Sequence, residues 1–156
     1  MFDQFTSSPF VVVVTAAREE ARQRGAKRMG TEHLLLGLLH ETGSASVRAL
    51  GVDLEAAYAA LEELDREALH AIGVDVGDLA PALSAPARTA PPLTSTAQAV
   101  LSQAVKNAKA RTRDIDTVHL LHVLLDRKRP DPAAELLARL GVDRGVVRGR
   151  LQESGS

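Results

Sequence analysis

The sequence predicts an all-α fold of two tandem four-helix units. Two repeated phrases and a matched pair of helical stripes carry that prediction. Thr31-Glu32-His33-Leu34-Leu35-Leu36-Gly37-Leu38-Leu39-His40 returns 86 residues later as Thr117-Val118-His119-Leu120-Leu121-His122-Val123-Leu124-Leu125-Asp126, sharing the threonine, the histidine and four leucines. Leu50-Gly51-Val52-Asp53 returns as Leu140-Gly141-Val142-Asp143, offset by 90, so four residues are added in the loop from Arg127 to Asp131. Self-similarity at such a period is the mark of a repeated supersecondary unit.

Each Leu-rich phrase reads as one helix. Leu34, Leu35, Leu38 and Leu39, and equally Leu120, Leu121, Leu124 and Leu125, fall at the spacing that stacks side chains on one helical face. Burying one leucine contributes roughly 1.5–3 kcal/mol, so four make a core helix. Thr31 and Thr117 read as N-caps, whose hydroxyl oxygen accepts from a first-turn amide. On this reading Leu35→Asp or Leu121→Asp unfolds its own half.

The helix before each phrase follows the same logic. Ser8-Pro9 is an N-cap followed by proline at the first helical position, where a missing amide is harmless. Phe10, Val13, Val14, Ala17 and Ala21 then form a stripe ending near Gly25. Val11 to Val14 alone would favour a strand. The counterpart Ala97, Val100, Leu101, Ala104, Val105 and Ala108 keeps helical spacing without a β-branched run, and it decides for helix. After the Leu-rich helix, Gly43-Ser44 starts a short helix that Gly51 ends, and Asp53 caps Leu54 to Leu64. In the second unit Asp131-Pro132 opens a helix through Leu140, Gly141 closes it, and Asp143 caps Val146 to Leu151.

The predicted organisation is a first unit over residues 1–80, a linker over 81–92, a second unit over 93–151 and a disordered tail over 152–156. The first unit includes an extra helical piece, Asp65 to Leu79, in which Ile72-Gly73-Val74-Asp75 repeats the stop-and-start phrase. Pro81, Pro86, Pro91 and Pro92 prevent a continuous helix in the linker. The matched apolar stripes favour the two units packed as one body.

With no cysteine the chain has no disulfide framework and no thiolate chemistry. The apolar run Phe10 to Ala17 is too short to span a membrane and lacks a basic flank, which argues for a cytoplasmic protein. Residues 1–80 hold seven Lys/Arg against thirteen Asp/Glu, a balance of −6, and residues 81–156 hold twelve against seven, a balance of +5. Two solvated faces that drifted apart, or a dipolar module whose halves attract each other or a charged partner, both fit. Arg111, Arg113 and Arg127-Lys128-Arg129 are too few, and too poor in aromatics, for a nucleic-acid surface.

No phosphate-cradling Gly-rich loop of either nucleotide-binding type occurs. His33 and His40, and His119 and His122, would need further ligands from elsewhere to hold a metal; His33 and His119 read as partly buried histidines bonded near a helix start. No serine is positioned for hydrolysis, so neither catalysis nor a cofactor is expected.

The Leu-rich phrase, preceded by Met1-Phe2-Asp3-Gln4-Phe5-Thr6 and Ala17-Arg18-Glu19-Glu20-Ala21, resembles the N-terminal double-repeat domain of Clp-family AAA+ unfoldases, particularly the ClpC type. The resemblance covers about residues 1–64 and 93–151 and implies two four-helix Clp repeats related by a pseudo-twofold axis. It is specific in the first unit; in the second, Leu93-Thr94 stands where the family has another Phe-Thr. The family's domain is non-catalytic and receives substrates, adaptor proteins and, in some members, phosphorylated arginine or cyclic-peptide antibiotics. As 156 residues hold no ATPase module, the sequence is similar to stand-alone Clp N-domain proteins.

The resemblance also implies where ligands bind. Glu32, at the first turn of its helix, could accept a guanidinium bidentately while Thr31 and nearby amides face a phosphate. The glutamate's mate in the second unit is Val118, beside Thr117. Phe10-Val11 and Gln98-Ala99 stand where the family has basic residues after its Phe-Thr segments. Phe2, Phe5 and Leu93, with Thr6 and Thr94 adjoining, lie where the family forms an apolar patch between repeats. The expected function is a protein- or peptide-binding module of the Clp protease system, acting as adaptor or decoy. The alternative is a sequestering protein for a cyclic peptide, or a phosphoarginine reader. Expected partners are Clp unfoldase or protease subunits and adaptor or client segments, with no nucleic acid and no membrane.

Overall fold

The computed structural model describes residues 9–73, 86–110 and 117–154. Among these residues eight helices and no strand occur: α1 Pro9–Gln23, α2 Thr31–Leu39, α3 Ala45–Leu50, α4 Leu54–Ala71, α5 Ser95–Ala110, α6 Thr117–Leu125, α7 Pro132–Arg139 and α8 Arg144–Ser154. The all-α double repeat expected from the sequence is what forms. Its short helices end as glycine permits, with Gly51 at φ 69° after α3 and Gly141 at φ 72° after α7. Ser44, Asp53, Asp131 and Asp143 each accept from an amide of the helix they precede.

Within each unit the first two helices pair, α1 with α2 and α5 with α6. Within the units α2 also touches α3 and α4, and α6 touches α7 and α8; the rest of the packing crosses between units in exchanged pairs. Helix α2 meets α7 as α6 meets α3, α4 meets α7 as α8 meets α3, and α2 meets α5 as α6 meets α1. Helices α2 and α6 meet each other at the centre, as a pseudo-twofold axis requires. The eight leucines of the repeated phrase are all at most 1% exposed and belong to one apolar cluster with Leu136, Leu137, Val147 and Leu151. Among the described residues the core runs continuously through both units.

Close helix packing explains Gly37, whose counterpart is Val123. A Cβ built on Gly37 would lie 2.4 Å from the Val13 carbonyl oxygen, so α1 and α2 cross where only glycine leaves room. Residues 86–94 are tied to the first unit by main-chain bonds. Met29 N–H donates to Pro92 O, Thr94 N–H to Met29 O and Ala87 N–H to Arg22 O, and Met29 forms an isolated parallel bridge with Leu93.

Three boundaries differ from the sequence reading. Helix α4 runs unbroken from Leu54 to Ala71 instead of stopping at Leu64, because Asp65 to Ala71 contains no glycine or proline to interrupt it. The expected helical continuation beyond Gly73 falls outside the described residues. Helix α8 extends through Ser154, past the expected start of a tail at Gln152. The N-cap of α2 is Gly30, not Thr31, which is the first helical residue.

The charge imbalance is only slightly used inside the fold. Arg139 of α7 pairs with Glu63 and Glu67 of α4 across the two halves. The other arginine ion pairs among the described residues join partners within one half, as in Arg22–Glu19, Arg24–Asp65 and Arg129–Glu135.

Candidate functional site

The start of α2 is built around a substituted cap. Gly30 has no side-chain acceptor to offer, and its own amide donates to Nδ1 of His33, one turn on, at 3.0 Å. Burial pulls the His33 imidazole down to about 4, helped by the positive charge of Arg24 and opposed by Glu20. The ring is therefore neutral at physiological pH and serves as an acceptor inside the fold.

Glu32 folds back over Gly30. A Cβ on Gly30 would lie 2.0 Å from Glu32 Oε1, so glycine is what makes room for this carboxylate. The oxygen is buried and has no hydrogen-bond partner, and it stands 3.6 Å from His33 Nδ1, already occupied by the Gly30 amide. Burial raises the pKa of Glu32 above its ordinary value of 4.5; Asp131 and Asp65 push it the same way, while the backbone amides of Glu32 and His33 pull against them. The side chain is 21% exposed, so a ligand can reach it from solvent.

The threonines at the two helix starts have other work. Thr31 donates its hydroxyl to Asp131 Oδ1 at 2.8 Å and accepts from the Ala133 amide at 3.1 Å. Asp131 in turn caps α7 through the Ala133 and Ala134 amides and receives Arg127 on its other oxygen. Thr117 meets Ser46 Oγ of α3 at 3.0 Å. Each Leu-rich helix is thus latched at its start to the third helix of the other unit.

The other sequence-derived candidates scatter around this seam. Leu93 and Thr94 are held beside Met29, immediately before Gly30; Leu93 is half-buried against the core, and Thr94 Oγ1 accepts from the Ala97 amide at the head of α5. Phe10 is half-buried against the core from α1, and Gln98 is exposed on α5. Val118 is half-buried against the same core, in the position that Glu32 holds in the first unit. Phe2, Phe5 and Thr6 lie outside the described residues.

Two polar constellations were not anticipated. The first is the partnership of Asp131 with Thr31, since Asp131 looks from sequence like a plain cap for Pro132. The second is Glu20, 9% exposed, whose Oε1 accepts from Tyr58 Oη and from His40 Nε2, the latter at 2.7 Å. Glu20 lies four residues after Ala16 on a helix of otherwise small and apolar inward positions, and that charged break in the stripe was its signal. Among the described residues no cluster of metal-ligating side chains occurs, and no helix is long and apolar enough to cross a membrane.

Fold and seam together define a helical double-repeat domain whose units interlock through exchanged third helices and leave one carboxylate unsatisfied at a helix start. The Clp repeat (R) N-terminal domain family matches residues 5–111 and again 92–155, and the chain belongs to that family. It is 30% identical over 155 residues to the ATP-dependent Clp protease ATP-binding subunit ClpA homolog of Cyanidium caldarium, and 31% identical over 152 residues to the chloroplastic chaperone protein ClpC1 of Arabidopsis thaliana. These alignments cover 97% and 95% of this chain but 16% and 14% of the relatives. The crystal structure of the N-terminal domain of the caseinolytic protease associated chaperone ClpD from Arabidopsis thaliana superposes with a TM-score of 0.67 at 20% identity, each chain fully covered.

Proposed function

We propose that the chain is a non-catalytic protein-binding module of the Clp system, which receives client peptide segments, an adaptor or the unfoldase at the surface around the start of α2. The observation that carries this reading is the Glu32 carboxylate, accessible from solvent yet lacking a donor for its inner oxygen. Thr31 and Thr117 are committed to latching the units, which leaves Glu32 as the acceptor for an incoming group. Leu93 and Phe10 supply half-buried apolar surface, and Phe2 and Phe5 belong to the same proposal as its apolar contacts.

Two roles are compatible with such a module: an adaptor that brings client and unfoldase together, or a decoy that holds ligands away from the unfoldase. The partly exposed Glu32 carboxylate favours one specific variant, recognition of a guanidinium such as that of phosphoarginine, whose N–H groups would donate to it from solvent. Val118 removes the equivalent acceptor from the second unit, so this variant uses one site per chain. A cyclic peptide would be captured on the apolar part of the same surface. The cytoplasmic placement stays part of the proposal, and cell fractionation tests it.

The test is a reconstitution with purified Clp unfoldase, a labelled unstructured client and the full chain, beside a Phe2→Ala/Glu32→Ala variant. A ternary complex lost in the variant supports the adaptor role. Client held without unfoldase, again lost in the variant, supports the decoy. Binding of neither by the parent chain overturns the proposal.

A further inference from the structure

A carboxylate placed as Glu32 is should not be neutral to the fold. Its inner oxygen is removed from water and receives no donor. Two further carboxylates face it from other elements, Asp65 on α4 and Asp131 at the head of α7. Asp65 is paired with Arg24, and Asp131 with Thr31 and Arg127, and none of these partners donates to the inner oxygen of Glu32. On its own helix the neighbour is His33, which is neutral and has its Nδ1 filled by the Gly30 amide. The first-turn amides of Glu32 and His33 offset only part of this. Charge on Glu32 is therefore unfavourable in the folded chain and unopposed in the unfolded one.

From this arrangement we infer that Glu32 is a proton switch at the start of α2: its carboxyl, folded over Gly30 with the inner oxygen buried and donorless, carries a proton at low pH and becomes a bare acceptor as the pH rises. Relieved of that charge, the domain is more stable. The inference deepens the reading of Glu32 as the ligand-receiving group. The ionised form of this residue works against folding, and its backfolded position requires the glycine at 30, so its charge serves no purpose within the fold. A cationic ligand would meet the same carboxylate from its exposed side, so that ligand and proton would compete for it.

A carboxyl with a raised pKa in the folded state binds more protons folded than unfolded between the two pKa values. Stability therefore falls as pH climbs above 4.5 and through the folded value. Glu32→Gln cannot lose a proton and escapes this fall.

The experiment uses the full chain without ligand. Urea midpoints of parent and Glu32→Gln are compared at pH 4 and at pH 7.5, and the Glu32 carboxyl is followed by carbon NMR through a pH titration in the parent and in Gly30→Ala. Gly30 has φ −102°, which alanine adopts freely, so that substitution displaces the carboxylate and spares the backbone. The expected result is a Glu32 midpoint above 4.5 in the parent that returns toward 4.5 in Gly30→Ala, with the difference between Glu32→Gln and parent moving in favour of the variant from pH 4 to pH 7.5. A purely structural loss in Glu32→Gln would give a pH-independent difference. A parent midpoint at or below 4.5, or a flat difference between the two pH values, overturns the switch. Failure of client or unfoldase binding with the titration as expected would instead remove the ligand reading and leave the switch standing.

Discussion

Thr31, the first residue of α2, gives its hydroxyl proton to Asp131, the residue that caps α7, across 100 residues of sequence at 2.8 Å. The bond joins the start of the first unit's central helix to the start of the second unit's third helix, and Thr117–Ser46 answers it on the other side of the pseudo-twofold axis. The two latches differ in strength. One ends on a carboxylate, buried and also held by two amides, and the other joins two neutral hydroxyls.

Thr31→Val is therefore expected to lower stability by about 1–3 kcal/mol and Thr117→Val by about 0.5–1.5 kcal/mol, since a bond to a charged acceptor is the stronger and its loss leaves a buried carboxylate short of a donor. Urea denaturation of both variants checks the order. Equal losses, or a larger loss at Thr117, would contradict the assignment of the charged latch.

The continuous core changes what a single buried charge should do. Leu35 and Leu121 are 1% and 0% exposed in one cluster shared by both units. Leu35→Asp is expected to abolish cooperative folding of the whole chain, not of its own half, because α7 and α5 lose their support as α2 does. Amide exchange in α8 reads the outcome; native protection there in the variant would show that the halves fold separately.

Gly37→Ala forces a Cβ to within 2.4 Å of the Val13 carbonyl oxygen, a backbone atom that cannot rotate away. Overpacking of this kind costs about 1–3 kcal/mol. Val123→Ala at the matching place in α6, 7% exposed, should instead cost what a lost core side chain does, about 1 kcal/mol. Thermal melts of the two variants compare them directly.

His33 and Glu32 are adjacent but give opposite pH slopes. The His33 imidazole lies at about 4 in the folded chain against 6.5 ordinarily. As pH falls from 6.5 toward 4 the unfolded chain takes up this proton first, so stability is lost over that window, by on the order of 3 kcal/mol when complete. His33→Gln should flatten the fall. A parent curve level from pH 6.5 to 4, or one unchanged in the variant, would show that the ring is not buried as a neutral acceptor.

Tyr58 is the only tyrosine and the chain has no tryptophan, so its phenolate can be watched alone by ultraviolet absorbance. Burial first, then the bond to Glu20 and that residue's charge, push the phenol up to about 12 from 10.0. Glu20→Gln should bring the midpoint back toward 10.0, as should urea. A parent midpoint at 10.0 would mean that α4 does not hold Glu20 of α1.

What the sequence made legible is what local periodicity and chain punctuation determine. Leu34, Leu35, Leu38 and Leu39 announce a buried helix face by spacing alone, and Gly51, Asp53, Gly141 and Asp143 mark helix ends that need only their neighbours. Thr31 was misread as a cap for the opposite reason. Its hydroxyl is claimed by a residue brought close by folding, and the cap falls to Gly30 because His33 Nδ1 satisfies that amide. The sequence divides Leu54 to Leu64 from a further helical piece at Asp65, whereas the ordinary helix formers from Asp65 to Ala71 join the two into one helix. At the candidate site, the glutamate at position 32 could be singled out from its phrase. Its buried, donorless oxygen could not, since that depends on the room above Gly30, and neither could its electrostatics, which depend on Asp65 and Asp131 brought in by α4 and α7.

Whether this surface takes a ligand through Glu32 is tested most directly by an anisotropy titration of a fluorescein-labelled unstructured client peptide carrying phosphoarginine. With the full chain at pH 7.5, saturable binding that weakens at least about tenfold in Glu32→Gln, the loss of roughly 1.4 kcal/mol or more that one charge-assisted contact represents, is the expected result. Equal affinity of parent and variant, or no binding by the parent to this peptide or its unphosphorylated form, would contradict it.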